Sequence, residues 1–218
     1  MFELGLPSAA TRPRRVLCLG AHSDDIEIGC GGAVLALTER IPNLQVHWVV
    51  FSARDERAAE AERSATRFLS RTDDRRVVVE SFRDGYFPYD GAALKDCFET
   101  VASRIDPDVI FTHYRNDRHQ DHRTVAELTW NTFRNHFVLE YEIPKYDGEL
   151  GNPNMYWPLS GAQRASKTQI LLDCFDTQAQ RSWFSRETFD AMMRLRGIEC
   201  RAESGYAEAF HCHKAVVG

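Results

Sequence analysis

Residues 16–32 read Val-Leu-Cys-Leu-Gly-Ala-His-Ser-Asp-Asp-Ile-Glu-Ile-Gly-Cys-Gly-Gly. The stretch opens on a continuous apolar run, Val16 to Ala21, of the kind carried by a strand buried on both faces. It turns polar at once, then runs into a helical pattern over Gly32 to Arg40. Strand, loop and helix in that order form the opening unit of a doubly wound sheet. A dinucleotide-binding loop at this place would carry G-x-G-x-x-G between strand and helix, and that pattern is absent. The loop offers instead an imidazole, His22, and two adjacent carboxylates, Asp24 and Asp25. Negative charge there repels phosphate and suits a divalent metal.

Three more apolar runs follow, at Val46 to Phe51, Val77 to Val79 and Val109 to Thr112. Between them lie helical patterns at Asp55 to Leu69 and at Leu94 to Ile105, where Leu94, Phe98, Val101 and Ile105 recur at helical spacing. Such alternation predicts right-handed crossovers and a mostly parallel sheet with helices on both faces. Further on, helices are expected at Thr124 to Phe133, Gln163 to Phe175 and Ser185 to Leu195, with strands at Phe137 to Ile143 and Tyr206 to His213. Residues 144–160, rich in proline, glycine and asparagine, read as an active-site loop. Residues 1–13 read as an extended N-terminal segment. No repeat or composition break divides the chain. Residues 1–218 are therefore read as one Rossmann-like α/β domain with a C-terminal elaboration.

The 218 residues carry 27 basic and 32 acidic side chains, a net charge of −5. That balance argues against a general nucleic-acid binder and against a polyanionic substrate. No apolar run is long enough to span a bilayer, and the N-terminus lacks the cationic start of a signal peptide. The six cysteines include no C-x-x-C pair, which excludes a zinc ribbon or thioredoxin motif. The expectation is a reduced, cytoplasmic protein, with a homo-oligomer left open.

A second chemical signal follows the fourth strand: His113-Tyr114-Arg115-Asn116-Asp117-Arg118-His119-Gln120-Asp121-His122. In open doubly wound sheets the first and fourth strands are often neighbours, and the crevice beyond their carboxyl ends takes ligands. Both clusters leave those ends, so they should meet in space. Zinc takes His and Asp ligands, and a catalytic zinc keeps three protein ligands and an open position. His22, Asp25 and one histidine of the second cluster would make such a set. Neighbouring loop side chains point apart, which leaves Asp24 as a carboxylate beside the metal, able to take a proton from water.

Together, AHSDDIEIGCGG and HYRNDRHQDH resemble the LmbE/PIG-L-like family of zinc-dependent de-N-acetylases, whose pattern is A-H-P-D-D with a downstream Gly-Gly and a later H-x-D-H. The likeness covers the first 135 residues. It implies a Rossmann-like hydrolase that removes an N-acetyl group from an amino sugar or amino-sugar conjugate. It implies that His22, Asp25 and His122 hold Zn2+, that Asp24 is the general base, and that His119 polarises the amide carbonyl. By the same resemblance Asp121 orients or charge-tunes a histidine of its own segment, and Asp84 and Arg57 face substrate. The chain departs from the pattern at Ser23, where the family has a proline that would stiffen the turn. The aromatics Tyr156 and Trp157, in the Pro/Gly-rich loop, are candidates for stacking on a sugar ring, with core packing as the alternative. His211 and His213 alternate on the last strand and are assigned no metal role.

Three rival readings remain from the residues. The same machinery could cleave a larger thiol or sugar conjugate as an amidase. A nucleotide-binding module could hold magnesium and a diphosphate on the acidic loop, although two histidines favour zinc over magnesium. A zinc-binding protein without activity is the third.

Overall fold

The computed structural model describes residues 14–216, so the expected extended segment at 1–13 lies outside the described residues. Seven strands form one sheet. In chain order the elements are β1 (Arg15–His22), α1 (Asp25–Arg40), β2 (Gln45–Ser52), α2 (Asp55–Phe68), β3 (Arg75–Val79), α3 (Gly91–Ala102), β4 (Val109–His113), α4 (Gln120–Thr132), β5 (Val138–Tyr141), β6 (Met155–Pro158), α5 (Gly161–Cys174), α6 (Arg186–Cys200) and β7 (Ala207–His211). Short 3-10 turns at 87–89 and 176–178 interrupt the connections.

The strand order is β3-β2-β1-β4-β5-β7-β6. The first five strands run parallel, and β7 is antiparallel to both β5 and β6. The order reverses between β1 and β4, which are hydrogen-bonded neighbours with Val16 opposite Val109 and Cys18 opposite Phe111. This is the switch point at which open α/β sheets bind ligands.

The unbroken apolar character of β1 has a plain cause. Val16 and Cys18 belong to a core shared with α1, α2 and α5, while Leu17 and Leu19 belong to a second core shared with α3 and α4. Both faces are covered, so alternation would leave a polar group buried. Each such side chain adds about 1.5–3 kcal/mol through burial.

Two helix starts differ from the sequence expectation. The first helix begins at Asp25, seven residues before the expected Gly32. Glycines 29, 31 and 32 look like loop residues by propensity, but here they let α1 lie close to its neighbours. An added Cβ at Gly29 would sit 2.2 Å from the Tyr141 ring. The fourth helix begins at Gln120 rather than Thr124, which puts Asp121 and His122 in its first turn. The 144–160 segment is not all loop either. Met155–Pro158 forms β6, the far edge strand, paired with β7. Its proline is tolerated because an edge strand leaves one side unpaired.

Candidate active site

The crevice is built from two strand-to-helix junctions. β1 ends at His22 and α1 opens at Asp25; β4 ends at His113 and α4 opens at Gln120. Because β1 and β4 are adjacent, the two histidine-bearing segments meet. The rings of His22 and His122 lie 5.2 Å apart, and those of His113 and His122 stack at 3.9 Å.

Two histidine nitrogens and the Asp25 carboxylate, one of its oxygens facing each ring, form a small triangle of donors. His22 Nδ1 lies 3.2 Å from His122 Nε2 and 3.3 Å from Asp25 Oδ2. His122 Nε2 lies 3.5 Å from Asp25 Oδ1. Two ligands on a tetrahedral ion at about 2.0–2.1 Å stand about 3.3 Å apart, so this triangle has the right edge lengths for zinc. Three other donor groups overlap it: His22 with His119 and His122, Asp25 with His113 and His122, and His22 with Asp84 and Asp121. His113 is poorly free to serve. Its Nε2 is already engaged by the Ala21 amide at 2.9 Å and lies 3.2 Å from Asp25 Oδ2. With Nε2 accepting from the backbone it has no proton for Asp25, and the ring instead stacks on His122.

Each histidine of the triangle has its second nitrogen turned to a carboxylate, the arrangement that fixes tautomer and ring orientation at metal sites. His122 Nδ1 faces Asp117 Oδ2 at 2.9 Å. His22 Nε2 faces Asp121 Oδ2 at 3.3 Å and Asp84 Oδ1 at 3.1 Å. Asp121 acts on two histidines: its charge bears on His119 of its own segment, and its carboxylate also reaches across to His22. The reason is the early start of α4. It leaves the Asp121 carboxylate to accept the Gly85 and Phe87 amides at 2.6 and 3.1 Å, and these hold it opposite His22. Burial works against charge on His22, but Asp25, Asp121 and Asp84 outweigh it and raise its pKa well above the ordinary value. Burial, with His113 beside it, pushes His122 down to about 3, so this ring is neutral and its lone pair is available.

His119 is the N-cap of α4, and its Nδ1 accepts the Asp121 amide at 3.3 Å. In the neutral ring the proton then sits on Nε2, as a free donor. Burial and the nearby His22 lower its pKa, which favours that neutral form. Asp24 is buried and is the N-cap residue of α1, yet its side chain makes no capping bond. Burial, followed by the charge of Asp25, raises its pKa to about 6. Arg57 spans the mouth. Its guanidinium lies 3.6 Å from Asp24 Oδ1 and 3.5 Å from Asp84 Oδ2, and its Nε donates to Ser23 Oγ at 3.1 Å. Ser23, where the family pattern has proline, thus supplies an anchor for Arg57.

Asp84 and Arg57 are therefore brought to the cluster, as are Asp24, His119 and Asp121. Tyr156 and Trp157 are not. They lie on β6, three strands from β4. The Trp157 ring packs in the core against Phe111 at 6.3 Å, and the Tyr156 hydroxyl donates to the Pro153 carbonyl. The sequence reading gave no role to Asp117, although it lies inside the second cluster five residues before His122. It also missed Lys145, whose Nζ donates to Asp117 at 2.8 Å. No local pattern marks that lysine. Among the described residues, no helix is long and apolar enough to cross a membrane.

A doubly wound sheet with a His/Asp donor cluster at its switch point defines an α/β protein with a candidate metal site. The chain belongs to the PIG-L family, described as GlcNAc-PI de-N-acetylase, which it matches over residues 17–133. It is thereby an amide hydrolase of the de-N-acetylase type. A protein of Escherichia coli K12 called "uncharacterized deacetylase YaiS" is 26% identical over 156 residues, 66% of this chain and 82% of that protein. The N,N'-diacetylchitobiose deacetylase of Pyrococcus horikoshii has a similar structure, with TM-score 0.68 and 18% identity, covering 92% of this chain and 84% of the other. So does GalB, the 4-carboxy-2-hydroxymuconate hydratase of Pseudomonas putida KT2440, with TM-score 0.72 and 16% identity, covering 94% and 98%. At these identities the structural likenesses speak for the fold. That one fold serves a deacetylase and a hydratase means the reaction has to be read from the side chains.

Proposed function

We propose that the chain hydrolyses the N-acetyl group of an amino sugar or amino-sugar conjugate, with Zn2+ held by His22 Nδ1, Asp25 and His122 Nε2. The donor triangle with edges of 3.2–3.5 Å carries this reading. When bound, a zinc ion acidifies water and polarises a carbonyl oxygen. The protein side chains do the rest. Asp24, as carboxylate, takes a proton from the attacking water. His119 Nε2–H donates to the carbonyl oxygen as negative charge grows there, the role of an oxyanion donor. As the C–N bond breaks, Asp24 returns its proton to the amine nitrogen, so the products are acetate and the free amine. Arg57 holds Asp24 and Asp84 in register at the mouth, where Asp84, exposed on one side, is placed to accept a sugar hydroxyl.

The test is amine release from a panel of N-acetylated sugars, with metal content measured on the same preparations. Wild type should contain about one zinc per chain. His122→Ala should lose both metal and turnover. Full metal retention in that variant would overturn the ligand set. Amine release confined to larger amides would replace the N-acetyl reading with that of a general amidase.

A further inference from the structure

We propose that this protein has a second ligand site, a cationic cleft that binds a small phosphate- or diphosphate-bearing anion. The cleft lies between α4, the segment after β4 and the end of the chain after β7, and uses no residue of the donor cluster. Its volume is about 640 Å3, within the range of small-molecule sites. Arg115, Arg123, Arg134 and Lys214 line it, against one acid, Glu127. In a chain of net charge −5, that is a local reversal of sign.

Three of the four cations, Arg123, Arg134 and Lys214, have neutral hydrogen-bond acceptors. Arg123 donates to the carbonyls of Asp117 and Arg118, Arg134 to the carbonyl and side-chain oxygens of Asn131, and Lys214 to the Arg134 carbonyl. All of these acceptors are neutral. Among the described residues, none of the three makes an ion pair with a carboxylate. Unpaired cations that converge on one concave space raise the local concentration of anions.

The cleft also has a fixed floor. Glu140 is fully buried, and its two oxygens accept Arg115 Nε at 2.9 Å, Trp130 Nε1 at 2.6 Å and the Arg115 amide at 3.0 Å, with His213 Nε2 at 3.0 Å. Arg115 and Trp130 are thus locked in place before any ligand arrives. Glu140 offsets Arg115 and Glu127 also lines the cleft, so four cations against two carboxylates leave a net positive charge for a ligand.

The chemistry selects the occupant. Two of the cations already stand over the Trp130 ring, Arg115 Cζ at 4.7 Å and Lys214 Nζ at 5.8 Å. The indole face is therefore engaged, and a ligand would be held by charge rather than by stacking of a base. Guanidinium groups match phosphate oxygens in pairs. The chain's net charge of −5 argues against an extended nucleic-acid path. The overall charge argues against polyanions for the molecule as a whole, but this cleft is a local exception.

The experiment is calorimetric titration of the full chain with inorganic pyrophosphate, orthophosphate and, at matched ionic strength, chloride. Saturable binding of one pyrophosphate per chain is expected, tighter than orthophosphate and weakened by salt. The double variant Arg134→Glu, Lys214→Glu should weaken it by at least about tenfold, the scale of losing one charge-assisted contact. Its folding and its turnover of a neutral N-acetylated sugar should stay at wild-type levels. His122→Ala serves as the control for pyrophosphate seated on a metal ion, and should bind it normally. Absence of saturable binding, binding unchanged in the double variant, or binding lost in His122→Ala would each overturn the proposal.

Discussion

The Asp117 carboxylate stands 2.9 Å from His122 Nδ1 and accepts a hydrogen bond from Lys145 at 2.8 Å. A carboxylate on the far nitrogen of a ligand histidine fixes the tautomer that presents Nε2 to the ion. It also makes that nitrogen a better donor. Lys145 in turn keeps Asp117 ionised, and together with His122 it holds the Asp117 carboxyl well below the usual range despite burial. Asp117→Ala should weaken metal affinity by about 10- to 100-fold, with Asp117→Asn intermediate because an amide oxygen still accepts from Nδ1–H. Competition with a chromophoric chelator measures this directly. Unchanged affinity in the alanine variant would mean that His122 is not a ligand through Nε2.

Gly29 tests how the helix places the ligands. Tyr141 is fully buried, and its hydroxyl donates to the Leu19 carbonyl at 2.7 Å, so the ring is pinned where a Cβ on residue 29 would fall. Gly29→Ala should cost about 1–3 kcal/mol through overpacking and should also weaken metal binding, since the same helix carries Asp25 in its first turn. Gly91→Ala, in the first turn of α3 with open space at that position, is the control and should lose no stability. Thermal melts of both, with and without zinc, decide the matter.

The strand pattern and the meeting of two clusters could be read from sequence because both follow from short-range rules. The apolar runs of β1, β2 and β4 reflect two-sided burial, whereas β3 is a half-buried edge strand, and β1 beside β4 follows from the doubly wound order. The start of α2 at Asp55 was legible, but the starts of α1 and α4 were not. Glycines at 29, 31 and 32 carry poor helix propensity, and their value lies in contacts with Tyr141, Phe68 and Leu159 that only the tertiary structure shows. That Asp121 also reaches His22 was not legible for the same reason. Its carboxylate is directed by backbone amides of residues 85 and 87, some thirty-five positions earlier in the chain. Lys145 reaches Asp117 from a connection of irregular structure that no periodicity describes.

Trp157 separates packing from recognition. As a residue of the edge strand packed against Phe111, it should matter for stability and not for substrate. Trp157→Ala should cost about 2–3 kcal/mol, somewhat less than a fully buried aromatic, while zinc content and KM stay level. A changed KM or sugar preference with an unaltered melting temperature would return Trp157 to the substrate pocket.

Asp24 offers the sharpest test of mechanism. Its carboxyl titrates near 6 because burial and the Asp25 charge oppose ionisation. A general base must be ionised, so kcat/KM should fall as pH drops through about 6, and a bound divalent cation would draw that limb lower. Asp24→Asn removes the proton acceptor at nearly constant shape. Turnover should fall by roughly 10² to 10⁴, the acid limb should disappear, and zinc content should remain. The sign of the stability effect follows from the same shift. A carboxyl whose folded pKa is raised favours the fold in its protonated form, so its ionisation costs stability above about pH 6. In the metal-free protein Asp24→Asn should therefore melt no lower than wild type at pH 8, and the difference should vanish near pH 4, where the wild-type group is protonated in the fold. An asparagine variant that keeps full turnover with zinc bound would remove Asp24 from the chemistry.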